Sequence, residues 1–187
     1  MSKSQKFGID CGATKVMAQS VIYDSKSQII QPAGLNFEYN YSDSSFWNPN
    51  FIPIPLEIQK AELENGVLNI KKAERIQASA IVEIIKQLIS KLNSKDIALC
   101  YPGLKSRSGI ILMANGPRIP DLIDQIPELK TIYHDSECCL LGEINSIVGR
   151  IKHSKNTIYI GGGTGIADGL ILNNEIIDFN KENDLKR

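Results

Sequence analysis

The sequence predicts an α/β domain built on one mixed sheet, with the first strands of a second sheet near the C-terminal end. Short apolar, β-rich segments alternate with helical stretches along most of the chain. Two segments, Ile9-Asp10-Cys11-Gly12-Ala13-Thr14 and Ile160-Gly161-Gly162-Gly163-Thr164-Gly165, read as strand, glycine turn, strand. The 187 residues are 42% hydrophobic and 22% charged, enough to bury a core and too apolar for global disorder.

Residues 7–11 are apolar and enter Gly12-Ala13-Thr14-Lys15, and residues 16–23 are again β-rich, so a hairpin is predicted. Residues 28–41 supply a third strand, broken near Pro32-Ala33-Gly34. Residues 42–58 hold serines, asparagines and three prolines around Phe46, Trp47 and Phe51, which predicts a long irregular loop with aromatic anchors. The clearest helix spans 72–92, where Ile76, Ala80, Ile84, Ile85, Leu88 and Leu92 recur at helical spacing and Asn93-Ser94 ends the run. Residues 96–101 form a buried-type strand stopped by Pro102-Gly103. Residues 109–113 form another strand, and 122–126 a helical turn before Pro127. A strand over 129–133 ends at His134-Asp135, and Ser136 suits the N-cap of a helix whose face carries Leu140, Leu141, Ile144, Ile147, Val148 and Ile151. Residues 156–160 meet the glycine loop, 169–172 return from it, and Asn173-Asn174 opens a last strand over 175–179. The expected division is a first lobe over 1–154 and the incomplete start of a second over 155–187. Ile158, Ile160, Leu170, Ile171, Leu172, Ile176 and Ile177 are then expected to lie partly exposed.

The charge balance narrows the function. Lys+Arg and Asp+Glu are each 21, so there is no global electrostatic case for nucleic acid or an anionic membrane. No apolar run approaches the length of a membrane span, and the polar start followed by Phe7-Gly8-Ile9 is too short for a signal peptide. Cys11, Cys100, Cys138 and Cys139 form no C-x-x-C, and with two histidines a zinc site within the chain is not expected. The thiols read as reduced, hence a cytoplasmic setting.

Three constellations carry chemistry. In Gly8-Ile9-Asp10-Cys11-Gly12-Ala13-Thr14-Lys15, a carboxylate at a strand end precedes a tight turn. Backbone N–H groups and the Thr14 hydroxyl suit a phosphate, and Asp10 suits its magnesium, directly or through water. The same residues also suit an ordinary hairpin turn with a solvated aspartate. The run from Gly161 to Gly169 permits close backbone approach to a ligand, or is simply a flexible hairpin. It has no Walker A pattern, and flanking strands argue against a dinucleotide fingerprint. In His134-Asp135-Ser136-Glu137, Asp135 lies at a strand end and a helix N-terminus, where the dipole favours an ionised carboxylate. Such a group can accept a hydroxyl proton during phosphoryl transfer, or merely cap the helix. No nucleophile elbow is present. Vicinal Cys138-Cys139 reads as packing within a helix, and Lys71-Lys72 with Arg75 as a solvated helix face.

Read together and in order, the motifs resemble those of the ROK family of sugar kinases and sugar-sensing repressors. Residues 8–15 resemble its D-x-G-[GA]-T-K phosphate motif. Tyr101-Pro102-Gly103 with Gly109-Ile110-Ile111 resembles its P-G segment and following strand, and Ala114-Asn115-Gly116-Pro117 its asparagine-containing sugar loop. Residues 134–143 resemble its N-D-A-N-x-x-A-L-G-E segment, and Thr164-Gly165-Ile166-Ala167-Asp168-Gly169 its second phosphate loop. The resemblance spans residues 7–172. It implies an actin-like ATPase (ribonuclease H-like) lobe that binds ATP and Mg²⁺ and phosphorylates a hexose or amino-sugar hydroxyl. By position, Asp135 would be the catalytic base and Asp10 the magnesium residue. Gly12, Thr14, Lys15, Thr164 and Gly165 would contact phosphate, and Asn115 and His134 the sugar. The departures are His134 for the usual Asn, Ala13 and Ala167 for frequent glycines, and the added charge of Asp168. The family's downstream E-x-G-H segment, Cys-rich zinc site and adenine loop have no counterpart here. A non-catalytic sugar or nucleotide sensor or scaffold is the alternative, as is a half-lobe completed by another chain. A repressor's N-terminal helix-turn-helix has no room before residue 8. The chain alone is expected to be inactive as a hexose kinase, to bind ATP weakly, and to self-associate or need a further lobe.

Overall fold

The computed structural model describes residues 5–152, 154–162 and 166–177. Strands β1 (Lys6–Cys11), β2 (Lys15–Asp24) and β3 (Ile29–Asn40) form an antiparallel meander. Helices α1 (Leu56–Glu64) and α2 (Lys72–Leu92) follow, then β4 (Asp96–Tyr101), the small hairpin β5 (Leu104–Lys105) and β6 (Ile110–Leu112), and α3 (Leu122–Gln125). Strand β7 (Ile132–His134) runs straight into α4 (Asp135–Asn145). Strands β8 (Thr157–Gly162), β9 (Ile166–Leu172) and β10 (Glu175–Ile176) make a second, antiparallel sheet. The main sheet has the order β3-β2-β1-β4-β7, with β4 parallel to both β1 and β7.

Alternation along β1 sorts its two faces. Phe7, Ile9 and Cys11 are buried against α2, while Gly8 and Asp10 point the other way, into a groove of about 470 Å³. Helix α2 buries Ile81, Ile84, Ile85, Leu88 and Leu92 in the same cluster as Val16, Ala18 and Leu99. Each such side chain contributes about 1.5–3 kcal/mol on burial, so this stripe is the main cohesive element of the lobe. Ile76, expected on that stripe, is instead 41% exposed, because it lies on the side of the helix turned away from buried Glu74, Gln77 and Ala78. Asn93 closes α2 in the left-handed conformation at φ 46°.

The expected break at residues 32–34 is a bulge within one continuous strand. Gln19 pairs with Asn36 and Val21 with Pro32, so the residues between swing out opposite Ser20. The Leu35 amide donates to Ser20 Oγ at 3.0 Å, and Gly34 takes φ +91°.

The expected loop over 42–58 does contain an anchor: Trp47 stacks on buried Tyr41, with ring centroids 6.1 Å apart. Phe46 remains 51% exposed. Helix α1, within and just beyond that loop, had no periodic signal, because its fully buried residue is Gln59 rather than an apolar one. Gln59 Nε2 donates to the carbonyls of Ile54 and Met113, and its Oε1 accepts from the Met113 amide at 2.9 Å. On the far side of the bend that follows Met113, Arg118 is fully buried. Its Nε and Nη2 donate to Glu74 at 2.9 and 2.8 Å, Nη1 to Glu62, and Nη2 to the Asn69 carbonyl. Glu74 also accepts from the Lys71 amide at the start of α2.

Two sequence expectations for α4 are corrected. The helix begins at Asp135 with His134 as its extended N-cap residue, so Ser136 lies inside the first turn. It also ends at Asn145, so Ile147, Val148 and Ile151 are not helical, and Val148 is 78% exposed. The chain is drawn instead toward β3, where the Ile147 amide donates to the Ile30 carbonyl and Ser146 bridges Ile30. The second sheet packs on α4 through Gly169 and buried Ile171, since a Cβ on Gly169 would stand 2.5 Å from Leu140 Cδ1. Ile171, expected to be exposed, is therefore part of the interior. Ile158, Ile160 and Leu172 on the opposite face are exposed, as expected. The far end of the predicted last strand lies outside the described residues.

Arg118→Met should strand the Glu74 carboxylate without its partner. The expected loss is about 3–5 kcal/mol, the cost of breaking a buried pair from one side. It would be read as a lower urea midpoint at unchanged slope; an unmoved midpoint would show that Glu74 escapes to water.

Candidate active site

The parallel pairing of β1, β4 and β7 aligns their carboxyl ends. Asp10 pairs with Cys100 and Cys100 with Tyr133, one position before His134-Asp135. With neighbouring strands about 4.8 Å apart, β1 and β7 lie roughly 10 Å from each other across β4. The two carboxylates chosen from sequence, Asp10 and Asp135, therefore sit at one edge of one sheet. Ligands of open α/β sheets bind at such edges.

The turn after β1 is tightly held. The Gly12 amide donates to the Lys15 carbonyl at 2.9 Å, and the Thr14 carbonyl accepts from the Tyr41 amide at 2.9 Å. Gly12 is thus a turn-forming residue whose own N–H is used inside the turn. The amides of Ala13 and Thr14 take no partner among the described residues, and both residues are exposed. Lys15 Nζ contacts Glu38 Oε2 at 2.9 Å, with both side chains roughly half exposed (41% and 51%). Such an exposed pair contributes little to stability. Asp10 is exposed, and its Oδ1 accepts from the Cys100 thiol at 3.3 Å.

Asp135 is more enclosed. Its Oδ1 accepts from the Ser136 amide at 2.9 Å and lies 2.8 Å from His134 Nδ1. His134 Nδ1 also lies 2.8 Å from Ser136 Oγ and 3.4 Å from the Ser136 amide; it donates to the Asp135 carboxylate in the tautomer that carries its proton on Nδ1 and accepts from Ser136 in the other. Partial burial opposes ionisation of Asp135, but His134, the Ser136 amide and Lys105 outweigh it and hold the carboxyl below its ordinary range. Oδ2 has no hydrogen-bond partner among the described residues.

Lys105 gave no sequence signal. It stands on β5, past the Pro102-Gly103 turn, where Gly103 takes φ +87° and a Cβ would also come within 2.4 Å of the Leu112 carbonyl oxygen, so the turn requires glycine. Lys105 Nζ donates to the Gly103 carbonyl at 2.7 Å. Burial pushes the amine down to about 8, against the opposing pull of Asp135 and the neighbouring thiols.

The thiols belong to the same floor. The Cys138 side chain and burial both push the Cys100 thiol up, whereas Cys100 holds the Cys138 thiol down against the opposing effect of burial. Burial pushes the thiol of Cys139, the next residue of α4, up, and Tyr159 of the second sheet opposes it. Burial pushes the Cys11 thiol up on the α2 side.

The structure thus gathers Asp10, Gly12, Thr14, Lys15, His134 and Asp135 at one sheet edge. Asn115 lies on the exposed bend between Met113 and Arg118, whose ends are pinned by Gln59 and Glu74. Thr164 and Gly165 lie outside the described residues. No group of three potential metal-ligating side chains occurs among the described residues. No described helix is long and apolar enough to cross a membrane.

No family model matches the chain, and no curated protein matches it. Solved structures do. The inorganic polyphosphate/ATP-glucomannokinase of Arthrobacter sp. strain KM superposes with a TM-score of 0.58 at 16% identity, covering 94% of this chain and 61% of that one. A ROK family glucokinase from Streptomyces griseus, in complex with glucose and AMPPNP, gives 0.56 at 16% identity, covering 93% and 46%. A ROK family protein from Streptococcus pneumoniae TIGR4, in complex with sucrose, gives 0.52 at 16% identity, covering 92% and 47%. The chain therefore shares the fold of these proteins, a mixed sheet with helices, and spans about half the length of two of them and 61% of the third.

His134→Leu should raise the titration midpoint of Asp135, because it removes the Nδ1–H donor. A depressed folded-state value means that ionised Asp135 adds stability above the ordinary carboxylate range, lost as pH falls through the folded value. The variant should lose acid stability in that window. Carboxyl ¹³C shifts followed against pH test this; a midpoint that stays in place would assign the depression to the helix terminus instead.

Proposed function

We propose that the chain provides the phosphate- and hydroxyl-handling half of an ATP-dependent sugar kinase of ROK type, acting on a hexose or amino sugar. The observation that carries this reading is the placement of Asp10 and Asp135 at the carboxyl ends of parallel strands on either side of β4, with Asp135 held ionised at the start of α4. We read residues 1–154 as one lobe and the strands from residue 155 as the beginning of another.

The donor set suits magnesium-bound phosphate. An exposed carboxylate, two unengaged turn amides and the exposed Thr14 residue are hard donors for phosphate oxygens and a hydrated cation. Asp10 would hold Mg²⁺ directly or through water; Thr14 and the Ala13 and Thr14 amides would take phosphate oxygens, with Gly12 shaping the turn. Lys15 would add positive charge when released from Glu38. Thr164 and Gly165 would complete the phosphate contact from the second loop. When bound, ATP·Mg²⁺ supplies the phosphoryl group and neutralises its charge.

Asp135 orients the attacking hydroxyl. Its Oδ1 is held by Ser136 and His134, leaving Oδ2 to accept the proton. A carboxylate held below its ordinary range is a weak base. That suits a loose transition state, in which the nucleophile loses its proton late and orientation matters most. His134 Nε2 and the Asn115 amide would contact sugar hydroxyls, and Lys105 would keep Asp135 charged.

In the active protein, Asp135→Asn should lower turnover by roughly 10²–10⁴-fold, the usual worth of a general base, with folding intact. A coupled ADP-release assay across hexoses and N-acetylhexosamines reads this. Turnover equal to wild type would reduce Asp135 to a helix-capping residue. Independently, Mg²⁺·AMPPNP should shift the Ala13 and Thr14 amide resonances, and Asp10→Asn should abolish the shift; shifts confined to other parts of the chain would remove the turn from the nucleotide site.

A further inference from the structure

We propose that Cys100 is a positioning residue for Asp10, its thiol holding one carboxylate oxygen so that the other is presented to the phosphate-bound cation. The inference deepens the kinase reading and rests on it. The register makes the two residues neighbours. Asp10 on β1 pairs directly with Cys100 on β4, and both face the groove on the side of the sheet away from α2. The Cys100 thiol lies 3.3 Å from Asp10 Oδ1. An ionised carboxylate only accepts, so the hydrogen comes from the sulfur. Asp10 Oδ2 has no hydrogen-bond partner among the described residues.

The rest of that face leaves the task to Cys100. Across β2 the partner of Asp10 is Met17, whose thioether has no hydrogen to give. Gly8 and Ala98, two residues back on β1 and β4, carry no polar side chain. Gln19, which pairs with Gly8, spends its Nε2 on the Ser20 and Leu35 carbonyls. Lys15, past the turn, has its Nζ on Glu38. Asp10 is exposed, and an exposed aspartate without a fixed partner samples several rotamers. A cation binds more tightly to a carboxylate already held in the bound orientation, because less side-chain freedom is lost on binding. The thiol supplies that restraint without a charge. A lysine or arginine in its place would neutralise Asp10 and compete with the cation.

The test compares the full chain with Cys100→Ala and with Cys100→Ser, which keeps a hydrogen-bond donor. Two readouts are independent of turnover. Three-bond Hα–Hβ couplings of Asp10 report its rotamer, and titration calorimetry reports binding of AMPPNP with Mg²⁺ and, in EDTA, without it. The wild type is expected to show one Asp10 rotamer. Cys100→Ala should average the couplings and weaken binding of Mg²⁺·AMPPNP by about 2- to 10-fold, the range of one hydrogen bond. Binding of metal-free AMPPNP should not change, and Cys100→Ser should restore both the rotamer and the affinity. Couplings that stay fixed in Cys100→Ala, averaged couplings with undiminished Mg²⁺·AMPPNP binding, an equal loss for metal-free AMPPNP, or equal losses in both variants would each overturn the proposal. A wild-type chain that shows the single rotamer but binds no Mg²⁺·AMPPNP would instead fail the kinase reading, and the role toward the cation would fall with it.

Discussion

Strand β4 lies between β1 and β7 and runs parallel to both, and every functional feature of the lobe inherits its position from that pairing. Parallel neighbours cannot be joined by a tight turn, so the chain must leave the sheet and return between β3 and β4 and again between β4 and β7. The first excursion contains α2, whose apolar stripe seals one face. The second contains the β5–β6 hairpin and α3. Asp10 and Asp135 come from distant parts of the chain, yet the register leaves them no other place than the same edge.

Around that edge, polar groups are fixed by burial rather than by covalent links. Glu74 and Gln59 secure the two ends of the Asn115 bend, at Arg118 and Met113, from α2 and α1. Their hydrogen bonds are saturated in a dry environment, where an unmet donor or acceptor costs about 1–3 kcal/mol, so the bend has few alternatives. Lys105 works in a similar way: partial burial makes its charge costly, and the Asp135 carboxylate compensates from across the site. The electrostatics of the edge thus couple β5, β7 and α4.

Helix α4 joins the two sheets. Its first turn carries Asp135 and Cys138 beside the main sheet, while Leu140 meets Gly169 of the second. A shift of this helix would therefore move the Asp135 carboxylate and the second sheet together.

Much of the architecture was legible in the sequence. The limits of α2 followed from helical spacing of apolar residues, and those of β1 and β4 from short apolar runs closed by Gly12 and Pro102. Ordered motifs also pointed to Asp10, the Gly12 turn and Asp135. These signals are local, because a period or a turn residue acts over a few neighbours. What needed the tertiary structure is non-local. Helix α1 is secured by buried Gln59, which no hydrophobic pattern reveals, and α4 stops at Asn145 because the chain is captured by β3 although its apolar residues continue. The Gly12 amide proved to be spent on Lys15, the Lys105 charge to act on Asp135, and the Cys100 thiol to donate to Asp10. The sequence by itself determined which segments become strands and helices and which carboxylates stand at their ends. Only the three-dimensional pairing decided which side chains meet, because hydrogen-bond partners, burial and charge neighbours depend on register across the sheet and not on distance along the chain.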